Sequence, residues 1–370
     1  MQIPFVNLKR ETNLIKNDLL HATEEVLSSG NYILGEKVKE FEEKFASYCG
    51  VSDAIAVGNG SDGLKLIMKS IGLDKNDEVI CPANSFIASA WAIVDAGAKP
   101  VFCDVDNDLL LSVETIEKCI TDRTKAIMAV HLTGKLCDNE KLMDFCKKEN
   151  ILFIEDAAQA VGAMNPQGEK AGTFGIAGSF SMHPLKNLSL YGDGGVVTTN
   201  SKKVANDIKS LRNHGLINRD ECIQWGFNSR LDELQASYAL IKLKYIDEWN
   251  RKYISIAKKY NQNISDKVIK PYSKKGFLDI YHNYIIRVPI NIRDNIMQSL
   301  LALGIETKIH YPIPLHLQKC SEHLGYKNGD IPNAENFARS MISLPIYHTL
   351  NDDELEYIIN SLNKTINQFL

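Results

Sequence analysis

The sequence predicts an α/β fold with a mostly parallel sheet covered by helices. Two observations support it: short apolar runs recur between residues 54 and 200, and helical patterns separate several of them. Seven runs bounded by turn residues are expected to be strands, at 54–57, 78–81, 100–105, 126–131, 151–154, 178–181 and 195–199. The intervening helices are expected at 62–70, 85–96 and 139–148. This alternation is typical of a parallel sheet between helices, whose functional site lies beyond the carboxyl ends of the strands.

The remaining residues predict a second, smaller α+β domain. Residues 231–260 contain neither Gly nor Pro and are expected to form one long connecting helix. Its apolar positions at nearly helical spacing are Leu240, Leu243, Ile246 and Trp249. One strand and two helices should follow, at 284–289, 294–303 and 352–362. We therefore predict a large domain over residues 1–255 and a small domain over 256–370, with segment 1–30 packing near the small domain.

Composition restricts the class of function. The chain has 370 residues, 44% of them hydrophobic, and its 42 basic and 46 acidic side chains give a net charge of −4. It contains no long basic run and no long apolar span, so neither nucleic acid nor a membrane is an expected partner. Its eight cysteines form no C-x-x-C pair or metal cluster, and residues 1–6 do not resemble a signal peptide. We predict a globular, reduced, cytoplasmic protein without a bound metal that acts on small molecules.

A glycine motif, Gly58-Asn59-Gly60-Ser61-Asp62-Gly63, connects the first predicted strand to a helix. It matches the dinucleotide pattern G-x-G-x-x-G, but the strand 78–81 carries no acid near its end to hold a ribose hydroxyl. Free amides at a helix start, with the Ser61 hydroxyl, suit a single phosphate equally well. We favour a monophosphate site, the alternative being a turn in which Ser61 or Asp62 only caps the helix.

Asp156 and Lys186 are the candidate catalytic pair. Asp156 ends the apolar run 151–154 with Glu155, and a buried carboxylate there requires a cationic partner or a raised pKa. It could instead cap a following helix, and strand alternation should turn Glu155 to the opposite face. Lys186 stands among small and apolar residues before the turn Gly192–Gly195, which favours a less hydrated amine. An amine that forms a Schiff base and an aspartate that protonates a pyridine together indicate pyridoxal 5'-phosphate.

Other residues can complete such a site. Ser181 could offer a hydroxyl to the phosphate, and Phe86, just after a strand, could cover a planar cofactor, although aromatic side chains more often pack in a core. Single histidines such as His131, His183, His310 and His316 are more often structural, and no pair of them has a metal-binding spacing.

The chain resembles the DegT/DnrJ/EryC1/StrS family, the sugar aminotransferases of fold type I, nearly from end to end. The matching segments are Val6–Leu8, Gly58–Leu64, Cys81–Ala88, Pro100–Asp104, Val130–Leu132, Glu155–Gln159, Phe180–Gly195, Leu211–Gly215, Gly226–Asp232, Ile309–Gln318 and Leu344–Pro345. The resemblance implies a seven-stranded, mostly parallel sheet between helices and the following residue roles. Lys186 would hold the cofactor aldehyde, Asp156 the pyridine nitrogen and Gln159 the ring hydroxyl, and Phe86 would stack on the ring. The phosphate ligands would be Gly60, Ser61, Asp62, Ser181 and, from the neighbouring subunit of a homodimer, Asn228.

Two departures from the family pattern and one retained residue affect the expected reaction. His183 stands where many members that aminate C-3 of the sugar have Tyr, and His is familiar among members that aminate C-4, whereas the turn Gly192–Gly195 favours C-3, so C-3 and C-4 both stay open. His348 stands where Pro is more usual. The family's dehydratases replace the lysine with His, and Lys186 is retained here, so transamination is expected.

The resemblance implies transfer of an amino group from L-glutamate to a nucleotide-linked 3-keto or 4-keto deoxyhexose, in amino-sugar synthesis for surface glycans such as lipopolysaccharide O-antigen or for natural products. Candidate substrate contacts are His183, His214, His310, Tyr311 and His316. The alternatives are amination of a keto-inositol or another free ketose, an NAD-dependent dehydrogenase and a noncatalytic regulator that binds pyridoxal phosphate. The sugar, the nucleotide and the aminated carbon are left undetermined.

Overall fold

The computed structural model describes residues 1–370, and a seven-stranded sheet lies at its centre. The strands are β1 (Asp53–Val57), β2 (Glu78–Pro82), β3 (Lys99–Cys103), β4 (Thr124–Val130), β5 (Leu152–Asp156), β6 (Ala177–Ser181) and β7 (Gly195–Thr199). Their order across the sheet is β1-β7-β6-β5-β4-β2-β3. Strand β7 pairs antiparallel with β1 and β6, and all other pairs are parallel. The predicted fold class and all seven predicted strands are confirmed.

Thirteen α-helices surround this sheet and a small second one. They are α1 (Leu8–Leu14), α2 (Lys16–Ser29), α3 (Glu36–Cys49), α4 (Gly60–Ser70), α5 (Ile87–Asp95), α6 (Val113–Ile116), α7 (Asn139–Lys148), α8 (Lys202–Leu211), α9 (Glu233–Leu243), α10 (Ile246–Asn263), α11 (Arg293–Ala302), α12 (Pro332–Ser340) and α13 (Asp352–Phe369). Side-chain caps fix the N-termini of several helices. At the N-terminus of α13, for example, Asn351 and Glu354 form a capping box. None of the helices combines the length and apolar composition needed to cross a bilayer.

Residues of α10 and of the elements after it form a separate core, which we call the second cluster. Strands β8 (Tyr284–Arg287) and β9 (Met341–Leu344) pair antiparallel, and a hydrophobic cluster of residues between 253 and 366 packs around them. The chain start joins this cluster, because Ile3 is 1% exposed within it and Ile3 N–H donates to Gly304 O at 2.8 Å. Helix α2, by contrast, packs against α9. The domain boundary after residue 255 stays a prediction.

The predicted continuous helix over 231–260 is wrong, because it is divided into α9 and α10. The N–H of Tyr245 donates to the carbonyl oxygen of Lys242 at 2.9 Å, three residues back, so the chain turns more tightly there than in an α-helix. The two pieces have different partners: α9 packs on α2 and α3, whereas Tyr253, Ile256 and neighbouring α10 residues enter the second cluster. The periodicity continues across the break, so pattern alone could not reveal it.

Close backbone approach positions the candidate site. A Cβ on Gly60 would lie 2.7 Å from Ser181 Cβ, and one on Gly195 would lie 2.5 Å from the carbonyl carbon of Asn59. The start of α4 can therefore meet the end of β6 only where side chains are missing. These glycines bring the glycine motif and the segment leading to Lys186 together.

Candidate active site

A cavity of about 610 Å³ opens beyond the carboxyl ends of β5 and β6, between the large sheet and the second cluster. Its lining includes eleven of the fourteen residues predicted from sequence: Gly60, Ser61, Asp62, Phe86, Asp156, Gln159, Ser181, His183, Lys186, His310 and Tyr311. The other three, His214, Asn228 and His316, do not line it. One cavity thus contains both predicted catalytic residues and the glycine motif.

The start of α4 forms a cradle for an anion. Asn59, not Ser61 or Asp62, caps the helix, because its Oδ1 accepts a hydrogen bond from Asp62 N–H at 2.8 Å. The N–H groups of Gly60 and Ser61 have no hydrogen-bond partner, and the Ser61 and Ser181 hydroxyls lie beside them in the cavity lining. Unpaired amides at a helix N-terminus favour a phosphate.

Asp62 has a more local role in this conformation. Its amide is used by the Asn59 cap, and its Oδ2 accepts hydrogen bonds from Ser229 Oγ at 2.7 Å and Asn59 Nδ2 at 3.2 Å. Asp62 therefore ties the cradle to the segment that contains Ser229, and a phosphate contact by Asp62 stays a prediction.

Asp156 ends β5 with its carboxylate toward the cavity. Ser89 Oγ donates to its Oδ2 at 2.8 Å, and Ala158 N–H donates to its Oδ1 at 3.2 Å. Burial raises the pKa of this carboxyl, while the two donors and the nearby Lys186 act in the opposite direction. No helix follows, since residues 157–162 form only turns and irregular structure, so the capping alternative does not apply. A cation in the cavity would stabilise the ionised form.

Glu155, the preceding residue, faces away from the cavity. It accepts hydrogen bonds from His131 Nε2 at 2.9 Å and from the N–H groups of Gly172 and Phe174, each at 2.8 Å. The two backbone contacts hold the turn before β6, and the His131 contact ties Glu155 to the end of β4. The two neighbouring carboxylates therefore have separate environments, as strand alternation requires.

Lys186 lies on the cavity side of the turn that follows β6. Its N–H donates to His183 O at 2.8 Å, which fixes the turn. Burial lowers the pKa of the Lys186 amine to about 8, although Asp156 opposes this shift. About a tenth of the amine is thus unprotonated and nucleophilic at pH 7, against less than about a thousandth for an ordinary lysine.

An amide and two aromatic side chains form the wall of the cavity beside Asp156 and Lys186. Gln159 Oε1 accepts from Thr133 N–H at 2.7 Å, so its Nε2 is the donor and bonds Tyr311 Oη at 3.2 Å. The ring of Tyr311 lies 5.7 Å from that of Phe86, centroid to centroid. Phe86 is 53% exposed despite its apolar ring, and this exposed ring lines the cavity. Phe86 is therefore available to cover a planar group.

The predicted histidines have different positions. His183 and His310 line the cavity; His310 Nδ1 lies 2.9 Å from Ser343 Oγ, and burial lowers its pKa to about 4. His214 is exposed on a loop. His316 is buried, with Nε2 3.0 Å from Glu335 Oε1. His214 and His316 thus contribute nothing to the cavity of their own chain in this conformation.

Sequence reasoning missed several residues of the cavity. Tyr253, His282 and Asn283 line it from the side of the second cluster, and Ser89 holds Asp156 from behind. Ser89, three residues after Phe86 in a predicted helix that follows a strand, could have been considered. The other three come from distant segments without a motif, so only the tertiary structure brings them to the site.

The family model for the DegT/DnrJ/EryC1/StrS aminotransferase family matches residues 13–363. The chain belongs to this family. It is 40% identical over 364 residues to a dTDP-3-amino-3,6-dideoxy-alpha-D-galactopyranose transaminase from Aneurinibacillus thermoaerophilus, covering 98% of this chain and 99% of that one. It is also 36% identical to a pleiotropic regulatory protein from Geobacillus stearothermophilus, over 100% of both chains.

Among solved structures, the crystal structure of S. venezuelae DesV in complex with a ketimine intermediate is similar to this chain, with a TM-score of 0.95. The two are 34% identical, and the match covers 99% of this chain and 98% of DesV. The family resemblance inferred from the sequence is thereby confirmed. This family uses pyridoxal 5'-phosphate.

The residues present fit this cofactor. The cradle that a Cβ at Gly60 would fill leaves two free amides for a phosphate. The buried Asp156 carboxylate requires a cationic partner, which a protonated pyridine supplies, and Lys186 offers an amine of lowered pKa in the same cavity. The protein is a pyridoxal phosphate-dependent aminotransferase.

Proposed function

We propose that this aminotransferase moves an amino group from L-glutamate to a nucleotide-linked keto-deoxysugar. The observation that carries the proposal is the combination, in one cavity, of the buried Asp156, the Lys186 amine and the cradle at Gly60 and Ser61. The names of similar proteins specify the acceptor class, since the Aneurinibacillus relative makes a dTDP-linked 3-amino sugar. The product belongs to amino-sugar synthesis for surface glycans such as lipopolysaccharide O-antigen.

Each residue of the site has a proposed task. The bound cofactor supplies an electron sink for a carbanion at the substrate carbon. The amides of Gly60 and Ser61, with the hydroxyls of Ser61 and Ser181, bind its phosphate, and Asp156 keeps its ring nitrogen protonated. Gln159 Nε2 is the donor for the ring hydroxyl, and Phe86 covers the ring and excludes water from one face.

Lys186 holds the cofactor between turnovers and moves the proton during them. Its amine takes a proton from the substrate carbon and returns one in the second half-reaction, which is general acid–base chemistry. A pKa of about 8 suits both directions, since between pH 7 and 8 the unprotonated share of the amine rises from about a tenth to about a half. Asp156 resists a further fall in that pKa, because its negative charge stabilises the lysine cation.

We infer that C-3 of the sugar is the position aminated. The support is the activity for which the Aneurinibacillus relative is named, that of a 3-amino sugar transaminase, together with the turn Gly192–Gly195. His183 stands where many C-3 enzymes have Tyr, but its ring lines the cavity and can contact the sugar as a tyrosine would. Structural analysis of the product decides between the two carbons.

A regulatory function is the second candidate, because a relative that is 36% identical over its full length bears the name of a pleiotropic regulatory protein. The complete set of Lys186, Asp156 and the phosphate cradle favours catalysis. A regulator that only binds the cofactor would require no proton-transfer group, and it would not be converted by an amino donor.

We further propose a cytoplasmic homodimer with two shared active sites. Asn228 is exposed and lies outside the cavity of its own chain, as expected of a residue that completes the neighbouring subunit's phosphate site. Trp225, in the same segment, is 96% exposed and would gain most from burial at an interface. Eight unpaired cysteines, five of them buried, are compatible with a reducing compartment. Sedimentation at micromolar concentration, with and without cofactor, measures the assembly.

The deciding experiment records the absorption spectrum of the holoenzyme before and after L-glutamate, with borohydride reduction and peptide mapping of the modified lysine. Modification of Lys186 and loss of the yellow colour with glutamate are expected. In a separate sample without borohydride, the enzyme aminated by glutamate is mixed with dTDP-linked 3-keto and 4-keto deoxyhexoses, UDP-linked counterparts and a keto-inositol, and the products are examined by NMR. No response to glutamate would refute the proposed transfer from L-glutamate. Amination of the keto-inositol alone would show that the acceptor is a free ketone and not a nucleotide-linked sugar.

A further inference from the structure

His282 occupies the side of the cavity opposite the large sheet and has no part in the functions assigned above. It precedes β8, and its ring lines the cavity. Its Nδ1 lies 3.0 Å from Asn187 Oδ1, whereas its Nε2 has no hydrogen-bond partner in the chain. The direction of the Nδ1 bond decides what Nε2 can offer to a substrate.

Three hydrogen bonds in series fix that direction. The backbone oxygen of Val161 can only accept, so the group facing it at 2.9 Å is the donor Nδ2 of Asn250. Asn250 Oδ1 therefore faces Asn187 and accepts from its Nδ2 at 3.1 Å. This leaves Asn187 Oδ1 as the acceptor toward His282, whose Nδ1 must carry the proton.

Nε2 of a neutral His282 is consequently a hydrogen-bond acceptor in the cavity. Enclosure by protein disfavours the cation and lowers the pKa of His282 well below its usual value, and the nearby positive charge of Lys186 acts in the same direction. The imidazole is therefore neutral at neutral pH.

His183 has the opposite arrangement. The N–H of Leu185 donates to His183 Nδ1 at 3.2 Å, so a neutral His183 carries its proton on Nε2. Two of the three histidines that line the cavity thus differ in chemistry: His183 has a donor available, and His282 has an acceptor available.

We propose that His282 is a substrate-binding residue whose Nε2 accepts a hydrogen bond from a hydroxyl of the acceptor sugar. This inference rests on the proposed function. A lone pair on Nε2 repels the carboxylates of an amino-acid donor, whereas a keto-sugar has several hydroxyl protons to offer. The adjacent Asn283 supports the assignment, since it is 3% exposed, lines the cavity and has an Nδ2 without a partner. His282 and Asn283 together present an acceptor and a donor, the pair that a hydroxyl satisfies.

The test separates the two half-reactions in the cofactor-loaded enzyme. Stopped-flow absorbance follows the reaction with L-glutamate, and then that of the aminated enzyme with the nucleotide-linked keto-sugar. His282→Leu should raise the half-saturating sugar concentration about tenfold, because a buried hydroxyl loses its partner, and should change the glutamate half-reaction less than about twofold. His282→Gln should recover part of the loss, since its amide oxygen can accept. His323→Leu, at an exposed position outside the cavity, is the matched control.

The outcomes distinguish this inference from the function on which it rests. A wild-type enzyme that does not react with glutamate refutes the proposed function itself. A normal glutamate reaction with unchanged sugar kinetics in both His282 variants refutes the role of His282, as does equal slowing of both half-reactions. If the Leu variant fails to fold, His282→Gln is compared with wild type on sugar analogues that each lack one hydroxyl. One analogue should lose more affinity for wild type than for the Gln variant, whose amide oxygen restores only part of the hydrogen bond, and equal losses for both enzymes would overturn the proposal.

Discussion

The two sides of the cavity differ in how they are built. On the side of the large sheet, Asp156, Ser181 and Lys186 lie at or just after strand ends and are held by local hydrogen bonds. On the opposite side, Tyr253 and His282 come from a helix and a loop that meet only because the second hydrophobic cluster assembles there. The positions of the residues on the sheet side follow from the order of the strands. The positions of those on the opposite side depend on how the two hydrophobic cores pack against each other.

This difference indicates a division of labour. The sheet side contains the groups that a phosphate, a pyridine nitrogen and an aldehyde require, and their spacing is fixed by hydrogen bonds between adjacent strands. The opposite side contains polar groups with unused hydrogen-bonding capacity, such as Asn283 Nδ2. We therefore expect changes on the sheet side to affect both half-reactions and changes on the opposite side to affect mainly the acceptor.

The largest effect is expected for Lys186→Ala, which removes the proton-transfer group. Turnover should fall by about 10³-fold or more, at the upper range for loss of general acid–base catalysis. The cofactor should still bind through the phosphate cradle, and equilibrium dialysis with a phosphate assay measures its retention. Appreciable turnover in this variant would remove Lys186 from the mechanism.

Asp156→Asn should be the next most severe change on the sheet side. The amide preserves the size of the side chain but cannot hold the ring nitrogen protonated, so both half-reactions should slow by about 10²-fold or more. The apoenzyme should be at least as stable as wild type, because burial already raises the pKa of this carboxyl. Thermal unfolding without cofactor checks the second expectation, and a marked loss of stability would mean that Asp156 is chiefly structural.

Glu155→Gln is the matched control, one residue away on the opposite face of β5. The NH₂ group of the new amide would face backbone N–H groups that now donate to the carboxylate, so one hydrogen bond would be lost. His131 would also lose a charged partner. We expect a loss of about 3 kcal/mol in the free energy of unfolding, with the kcat of the folded fraction nearly unchanged. Urea unfolding gives the first quantity and activity at low temperature gives the second. If kcat fell while stability held, the division between the two faces of β5 would be wrong.

The sequence could predict the sheet side because each of its residues belongs to a continuous motif. Asp156 ends an apolar strand, and the glycine motif begins a helix. His282 could not be found in this way, since its importance depends on Asn187 and Asn250, neither of which is near it in sequence. The break between α9 and α10 was missed for the same reason, because the helical periodicity persists while the packing partners change.

Asn228→Ala tests whether a second subunit completes the sheet side. If Asn228 contacts the phosphate across a dimer interface, the dissociation constant of the cofactor should rise about tenfold, corresponding to about 1.4 kcal/mol for one hydrogen bond to a charged group. Asn218→Ala, at an exposed position in the same segment, is the control and should leave binding unchanged. Equal affinity of the Asn228 variant and wild type in a verified dimer would refute the shared site.

The smallest effect expected is in the pH dependence of cofactor capture. Only the unprotonated amine of Lys186 attacks the aldehyde, so the rate of covalent attachment to the apoenzyme should rise about tenfold per pH unit below the lysine pKa and level off above it. With the pKa lowered to about 8, the bend should fall near pH 8. Nα-acetyl-lysine in solution is the control, and its rate should still be rising above pH 9. If the rate for the enzyme also rose without a bend beyond pH 9, the surroundings of Lys186 on the sheet side would not lower its pKa.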